Sequence, residues 1–169
     1  MTTVRAEEEE DYPQVARVIE LAFGQADEAR LVAALRTSAD PHISLVAVED
    51  DRVVGHIFFS PVTIESDRSL FTAMGLAPLA VLPEYQNRGV GSLLVWEGLK
   101  ECLMIGHRVV VVLGHPAYYP RFGFQTAKLK GITCEYDVPE DHFMVAELEP
   151  GALGGRQGLV KYHPEFNKF

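Results

Sequence analysis

The chain has 169 residues, 47% hydrophobic and 23% charged, which suits one globular domain able to bury most of its apolar surface in a single core. A formal net charge of −9 argues against nucleic acid or an anionic membrane as a partner, since both reward basic surfaces. Cys102 and Cys134 are too few and too far apart for a disulfide framework, the 6 histidines show no metal-ligand spacing, and neither a signal peptide nor a membrane-length apolar run is visible, so a reduced, cytoplasmic protein without a metal is expected.

Residues 2–6 read as a short first strand. The acidic run from Glu7 to Asp11 precedes a helix, where it would complement the helix dipole. Val15, Val18, Ile19, Ala22 and Phe23 follow the spacing of an amphipathic helix, which Gly24 ends. Asp27 is placed to cap a second helix that turns Leu31, Val32 and Leu35 inward and finishes before Pro41. Residues 44–49 and 53–64 read as two strands joined at Asp50-Asp51-Arg52, and Asp67-Arg68 marks the next turn.

Residues 71–82 form a long strand with Pro78 inside it. Proline removes a ladder donor, so a bulge or one-sided pairing is expected there. Leu76-Ala-Pro-Leu-Ala-Val-Leu-Pro83 then leads through Glu84-Tyr85 into Gln86-Asn87-Arg88-Gly89-Val90-Gly91-Ser92, a glycine-bearing loop that opens directly into a helix. The first N–H groups of a helix are unpaired, its dipole is positive at that end, and glycine allows close backbone approach. The loop is therefore an anion site suited to a pyrophosphate. A Gly-x-Gly turn before a helix is common by itself. The dinucleotide fingerprint would need a third glycine where Leu94 stands, and no Gly-Lys-Ser/Thr occurs to make a phosphate-binding lysine loop.

The helix after the loop sets Leu94, Val95, Gly98, Leu99, Cys102 and Leu103 on one side, with Glu97, Lys100 and Glu101 on the other. Arg108 to Leu113, with its four valines, has the composition of a strand buried on both faces, and strand, helix, strand in this order implies a right-handed parallel crossover. Pro116 to Arg121 reads as a short helix or turn, Phe124 starts another strand, and 142–148 reads as a further one. Glycines at 151, 154, 155 and 158 make residues 150–158 loop-like, not a second domain.

Two ordered landmarks carry a family resemblance. The loop from Gln86 to Gly91 with Leu79-Ala80-Val81 before it, and Tyr119-Pro-Arg-Phe-Gly123-Phe124 downstream, together resemble the acyl-CoA signature and the Tyr-x-x-x-Gly-Phe element of the GNAT superfamily of N-acyltransferases, most of all its compact bacterial single-domain branch. The resemblance covers about residues 2 to 148, with 149–169 as a C-terminal extension of a single N-acetyltransferase domain spanning 1–169. It implies an α/β fold with a mixed, strongly twisted sheet and helices on both faces, and a bulge in the central strand that opens a slot for the pantetheine arm.

The resemblance further implies acetyl transfer from acetyl-CoA, as cosubstrate, to a primary amine by direct attack in a ternary complex. Backbone amides of Arg88, Gly89, Val90, Gly91 and Ser92, with Gln86 and Asn87 beside them, would hold the pyrophosphate. Leu79, Ala80 and Val81 would pair with the pantetheine, and the amide of Leu79 would stabilise the oxyanion. Tyr119, four residues before Gly123, would protonate the departing sulfur, while Tyr118 would pack or line the acceptor site. The stretch Gly75-Leu76-Ala77 offers no base where some family members carry histidines. Glu28, His115 or a water chain remain as candidates, and the acceptor, a small molecule or a protein amine, is left open. A sensor of CoA thioesters without turnover, or a transferase using a donor such as succinyl-CoA, are the alternatives. Nothing in the sequence fixes the oligomeric state, although a homodimer is compatible.

Overall fold

The computed structural model describes residues 1–168, which hold a nine-stranded sheet and three α-helices. Strands β1 (Thr3–Ala6), β2 (Ile43–Glu49), β3 (Arg52–Glu65), β4 (Leu70–Val81), β5 (Val109–Leu113), β8 (Phe143–Glu147) and β6 (Gln125–Thr126) lie side by side in that order. β4 and β5 are parallel neighbours, joined through α3 (Val90–Met104), as the strand–helix–strand sequence requires; the other pairings along this path are antiparallel.

The long strand β3 sets the frame. One of its edges pairs with β4 over nearly its full length, from Gly55↔Val81 to Glu65↔Leu70. The other edge is shared: β2 covers Arg52 to Phe59, and β9 (Gly158–Lys161) covers Thr63 to Glu65. β9 also pairs in parallel with β7 (Ile132–Cys134). The sequence pattern predicts neither of these short strands, because their residues carry neither length nor clear alternation; only Gly158 falls within the loop expected over 150–158.

Alternation along β3 assigns a helix to each face. Gly55 and Phe59 face α3: a methyl on Gly55 would meet Leu94 and Val90 at 3.0–3.1 Å, and one on Gly98 would collide with the Phe59 ring. His56 and Phe58 face the other way, toward the side that receives α1 (Tyr12–Phe23) and α2 (Asp27–Ser38). Val15, Val18 and Ile19 of α1 and Leu31, Val32 and Leu35 of α2 are buried there. Gly24 ends α1 in the left-handed conformation, with φ of 73°.

Three sequence expectations need correction. Asp27 does not cap α2: Ala26 holds that position without a side-chain bond, and Asp27 lies inside the first turn, where its charge alone favours the dipole. Leu103 does not join the buried stripe of α3 and is 39% exposed, whereas Leu94, Val95, Gly98, Leu99 and Cys102 are buried. The acidic run does more than complement a helix end. Asp11 is buried and accepts two bonds from Arg5, at 2.7 and 2.9 Å, and Glu7 is taken into the interior.

Glu7 belongs to a buried polar chain. Arg36 on α2 donates to both of its carboxylate oxygens, at 2.9 and 2.6 Å, and the Ser44 hydroxyl donates to Oε1 at 2.9 Å. Having spent its one proton, Ser44 Oγ can only accept from His56 Nε2, 2.8 Å away. Neutral His56 therefore carries its hydrogen on Nε2, and its Nδ1, fully buried, has no partner among the described residues. Burial, with the Arg36 charge nearby, pushes the His56 pKa down to about 3. Glu7 Oε2 lies only 3.8 Å from Nε2, but its charge is already matched by Arg36.

Candidate active site

The site starts where β4 leaves β5. Their pairing runs from Met74↔Val110 to Leu76↔Val112 and stops. Against β3, the register steps from Phe59↔Leu76 to Ile57↔Leu79, so β4 carries one residue more than its partner across Ala77 and Pro78. This is a bulge, and Pro78, which has no N–H to donate, occupies it. Beyond the bulge Leu79 and Val81 line an open groove, while Ala80 between them is buried, paired opposite His56.

The groove floor is the loop into α3. Gln86 Nε2 donates to the Val81 carbonyl at 3.0 Å, tying loop to strand. Gly89, with φ of 85°, stands just before α3, and the first helical bond beyond the turn runs from Leu93 N–H to the Gly89 carbonyl at 3.0 Å. The N–H groups ahead of Leu93 are the orphan donors of a helix start, at its positive end. The two glycines serve different needs. A methyl on Gly89 would meet nothing, so the residue is required by backbone angle; a methyl on Gly91 would lie 2.9 Å from the Tyr118 hydroxyl, so that residue is required by close approach.

Leu79, Val81, Gln86, Asn87, Gly89, Gly91 and Ser92 all line this groove of about 560 Å³. Val90 sends its side chain into the core, leaving its backbone for the loop. The Arg88 guanidinium lies over the Tyr85 ring, 5.3 Å from its centroid, and does not line the groove. The cation that does is Arg121, which the sequence reading passed over. Its Nε donates to the Tyr118 carbonyl at 2.8 Å, and its guanidinium sits 4.6 Å from the Tyr118 ring centroid. A basic residue inside the Tyr-x-x-x-Gly-Phe turn of an acidic chain was the available signal.

At its other end the groove meets a second cavity of about 450 Å³, and Leu79 and Tyr118 line both. Tyr119 lines the second cavity, with its ring held edge-to-face by Tyr118 and Phe124 at centroid distances of 5.1 and 5.7 Å. Its ring fills the space that a side chain on Gly114 would need. Burial pushes its hydroxyl pKa well above the ordinary 10, so it stays protonated. The Tyr118 hydroxyl points to the groove, 3.4 Å from Ser92 Oγ. Glu28 from α2 and His115, just after β5, reach the second cavity as well; Phe23, Leu31, Pro78 and Leu113 give it apolar walls.

A family model described as an acetyltransferase (GNAT) domain matches residues 3–127. The chain is 38% identical over 167 residues to the N-acetyltransferase YhbS of Escherichia coli K12, covering 98% of this chain and 99% of that one. The crystal structure of Escherichia coli YhbS in complex with CoA superposes with a TM-score of 0.91 at 37% identity, covering 99% of this chain and 93% of that one. A GNAT family acetyltransferase from Brucella melitensis, solved in complex with acetyl-CoA, gives a TM-score of 0.78 at 35% identity, with 98% of both chains covered.

Proposed function

The chain belongs to the GNAT family of acetyltransferases and is an acyl-CoA-dependent N-acetyltransferase, and on that premise we propose that it carries the acetyl group of acetyl-CoA to a primary amine by direct attack in a ternary complex. One observation carries the reading: a helix N-terminus suited to phosphate and an apolar cavity suited to an acceptor are joined at Leu79, where β4 parts from β5. The groove volume lies within the range of small-molecule sites, and Gly91 leaves room for close approach at its floor.

Backbone N–H groups from Arg88 to Ser92 hold the pyrophosphate, with Arg121 adding charge. The pantetheine runs along Leu79 and Val81, and Ala80 contributes backbone only. The thioester carbonyl accepts from the Leu79 N–H, which stabilises the oxyanion as the amine nitrogen forms its bond to carbon. The carbon–sulfur bond then breaks, the sulfur takes the Tyr119 hydroxyl proton, and the proton shed by the nitrogen restores the tyrosine. A thermal-shift titration with acetyl-CoA, followed by thiol release across a panel of amines, tests this. Stabilisation by acetyl-CoA with amine-dependent thiol release is the expected result. Stabilisation without release from any amine would make the protein a sensor, and release only with a bulkier acyl-CoA would change the donor.

A further inference from the structure

The second cavity has a chemical signature of its own. Its walls are apolar, built from Phe23, Leu31, Pro78 and Leu113, and it holds two titratable side chains other than the tyrosines, Glu28 and His115. These two are not equivalent. His115 lines the cavity, and its Nδ1 accepts the backbone N–H of Ala117 at 3.1 Å, so the neutral ring carries its hydrogen on Nε2 and is a donor there. Glu28 is an acceptor. Gln25 Nε2 reaches both of its oxygens, at 3.0 and 3.1 Å, and so steadies the carboxylate, and among the described residues no cation pairs with it. The cation next along α2, Arg30, pairs with Asp27 instead, at 4.0 Å.

Resting on the acetyltransferase reading above, we propose that this cavity selects a primary amine on an apolar body, bound as its ammonium ion by Glu28 and lacking any carboxylate beside the amine. A charged donor meeting a carboxylate makes a strong bond, and the apolar walls cover the remainder of the molecule. An amino acid would bring a second carboxylate beside Glu28 without any lysine or arginine lining this cavity to balance it. The bound ammonium gives one proton to the Glu28 carboxylate, which passes it to solvent, and the freed lone pair is the one that attacks the acetyl carbon. Since His115 presents a hydrogen there, it orients and does not deprotonate.

The test uses 2-phenylethylamine, L-phenylalanine, 2-phenylethanol and putrescine, with the wild type and Glu28→Gln, in two assays. Calorimetric binding in saturating CoA is expected to show 2-phenylethylamine bound at least tenfold more tightly than the other three. Glu28→Gln should weaken the amine by about 10- to 100-fold, the scale of a lost charge-assisted bond, and leave the alcohol unchanged. Acetyl transfer should show the same ranking as a rise in KM. Equal binding of the four compounds, or an unaltered amine affinity in Glu28→Gln, would overturn the assignment even if transfer occurs. Glu28-dependent amine binding without any transfer would instead preserve the assignment and overturn the catalytic reading.

Discussion

The buried His56 ties the stability of the fold to pH in a way that can be calculated. In the folded protein its Nε2–H is spent on Ser44, and its Nδ1 faces an interior without an acceptor. Protonation would put a charged N–H there with nothing to receive it, and the folded pKa falls to about 3 from an ordinary 6.5. Because the folded state holds this proton less well than the unfolded state, the contribution is complete above pH 6.5. It is lost as pH falls from 6.5 toward 3. The slope is about 1.4 kcal/mol per pH unit, so moving from pH 7.5 to pH 5 costs roughly 2 kcal/mol from this group. His107 is also lowered by burial and titrates in the same direction, so the readout is a difference between proteins. Urea unfolding of the wild type and His56→Gln at pH 7.5, 6 and 5 gives it. The variant keeps a donor for Ser44 and is less stable at neutral pH, but should lose roughly 2 kcal/mol less than the wild type across the range. Parallel pH profiles for the two proteins would refute the reasoning, for then the buried imidazole is not the group that resists the proton.

The loop glycines should separate in the same kind of experiment. Gly89→Ala, at a φ of 85°, is expected to cost about 1 kcal/mol of unliganded stability, whereas Gly91→Ala should leave stability nearly unchanged and weaken acetyl-CoA in a titration, because its methyl would press on Tyr118. Tyr119→Phe should lower kcat by about 10²–10⁴ with acetyl-CoA affinity retained, and Tyr118→Phe should be mild; the reverse pattern in steady-state kinetics would move the proton donor to the groove tyrosine. Gly98→Ala should destabilise by about 1–3 kcal/mol in thermal or urea unfolding, since the methyl would enter the space of the buried Phe59 ring.

What could be read beforehand was whatever depends on local spacing. Leu79 to Ser92 announces strand, turn and helix start within one short run, and the structure sets Leu79, Val81, Gln86, Asn87, Gly89, Gly91 and Ser92 along a single groove. Pro78 announced the bulge because proline has one chemical consequence in a central strand. Other features depend on who the neighbour is. Arg121 looks like any surface arginine until its turn folds back over the α3 loop, and adjacent Tyr118 and Tyr119 look alike until the fold buries Tyr119 at the second cavity and sets Tyr118 across both. Leu103 fits the apolar stripe of α3 by periodicity, yet it stands in the last turn of the helix and stays 39% exposed. Glu7 reads as the first of an acidic run complementing a helix start, and the approach of Arg36 from α2, with the Ser44 hydroxyl, draws it inward.

The division of one β3 edge between β2 and β9 bears on how the chain is made. Strands β2, β3 and β4 follow one another and can pair as they emerge, and the crossover through α3 adds β5 soon after. Thr63 to Glu65, however, wait for Leu159 to Lys161, the last strand among the described residues. Until synthesis has passed Lys161, that stretch of β3, with the wholly buried Ile64 at its centre, presents unpaired N–H and C=O groups beside apolar surface. Such an open edge invites pairing with a neighbouring nascent chain. Products that stop short of Gly158 should accordingly collect in the insoluble fraction of an expression culture, making β9 a guard against aggregation during biogenesis.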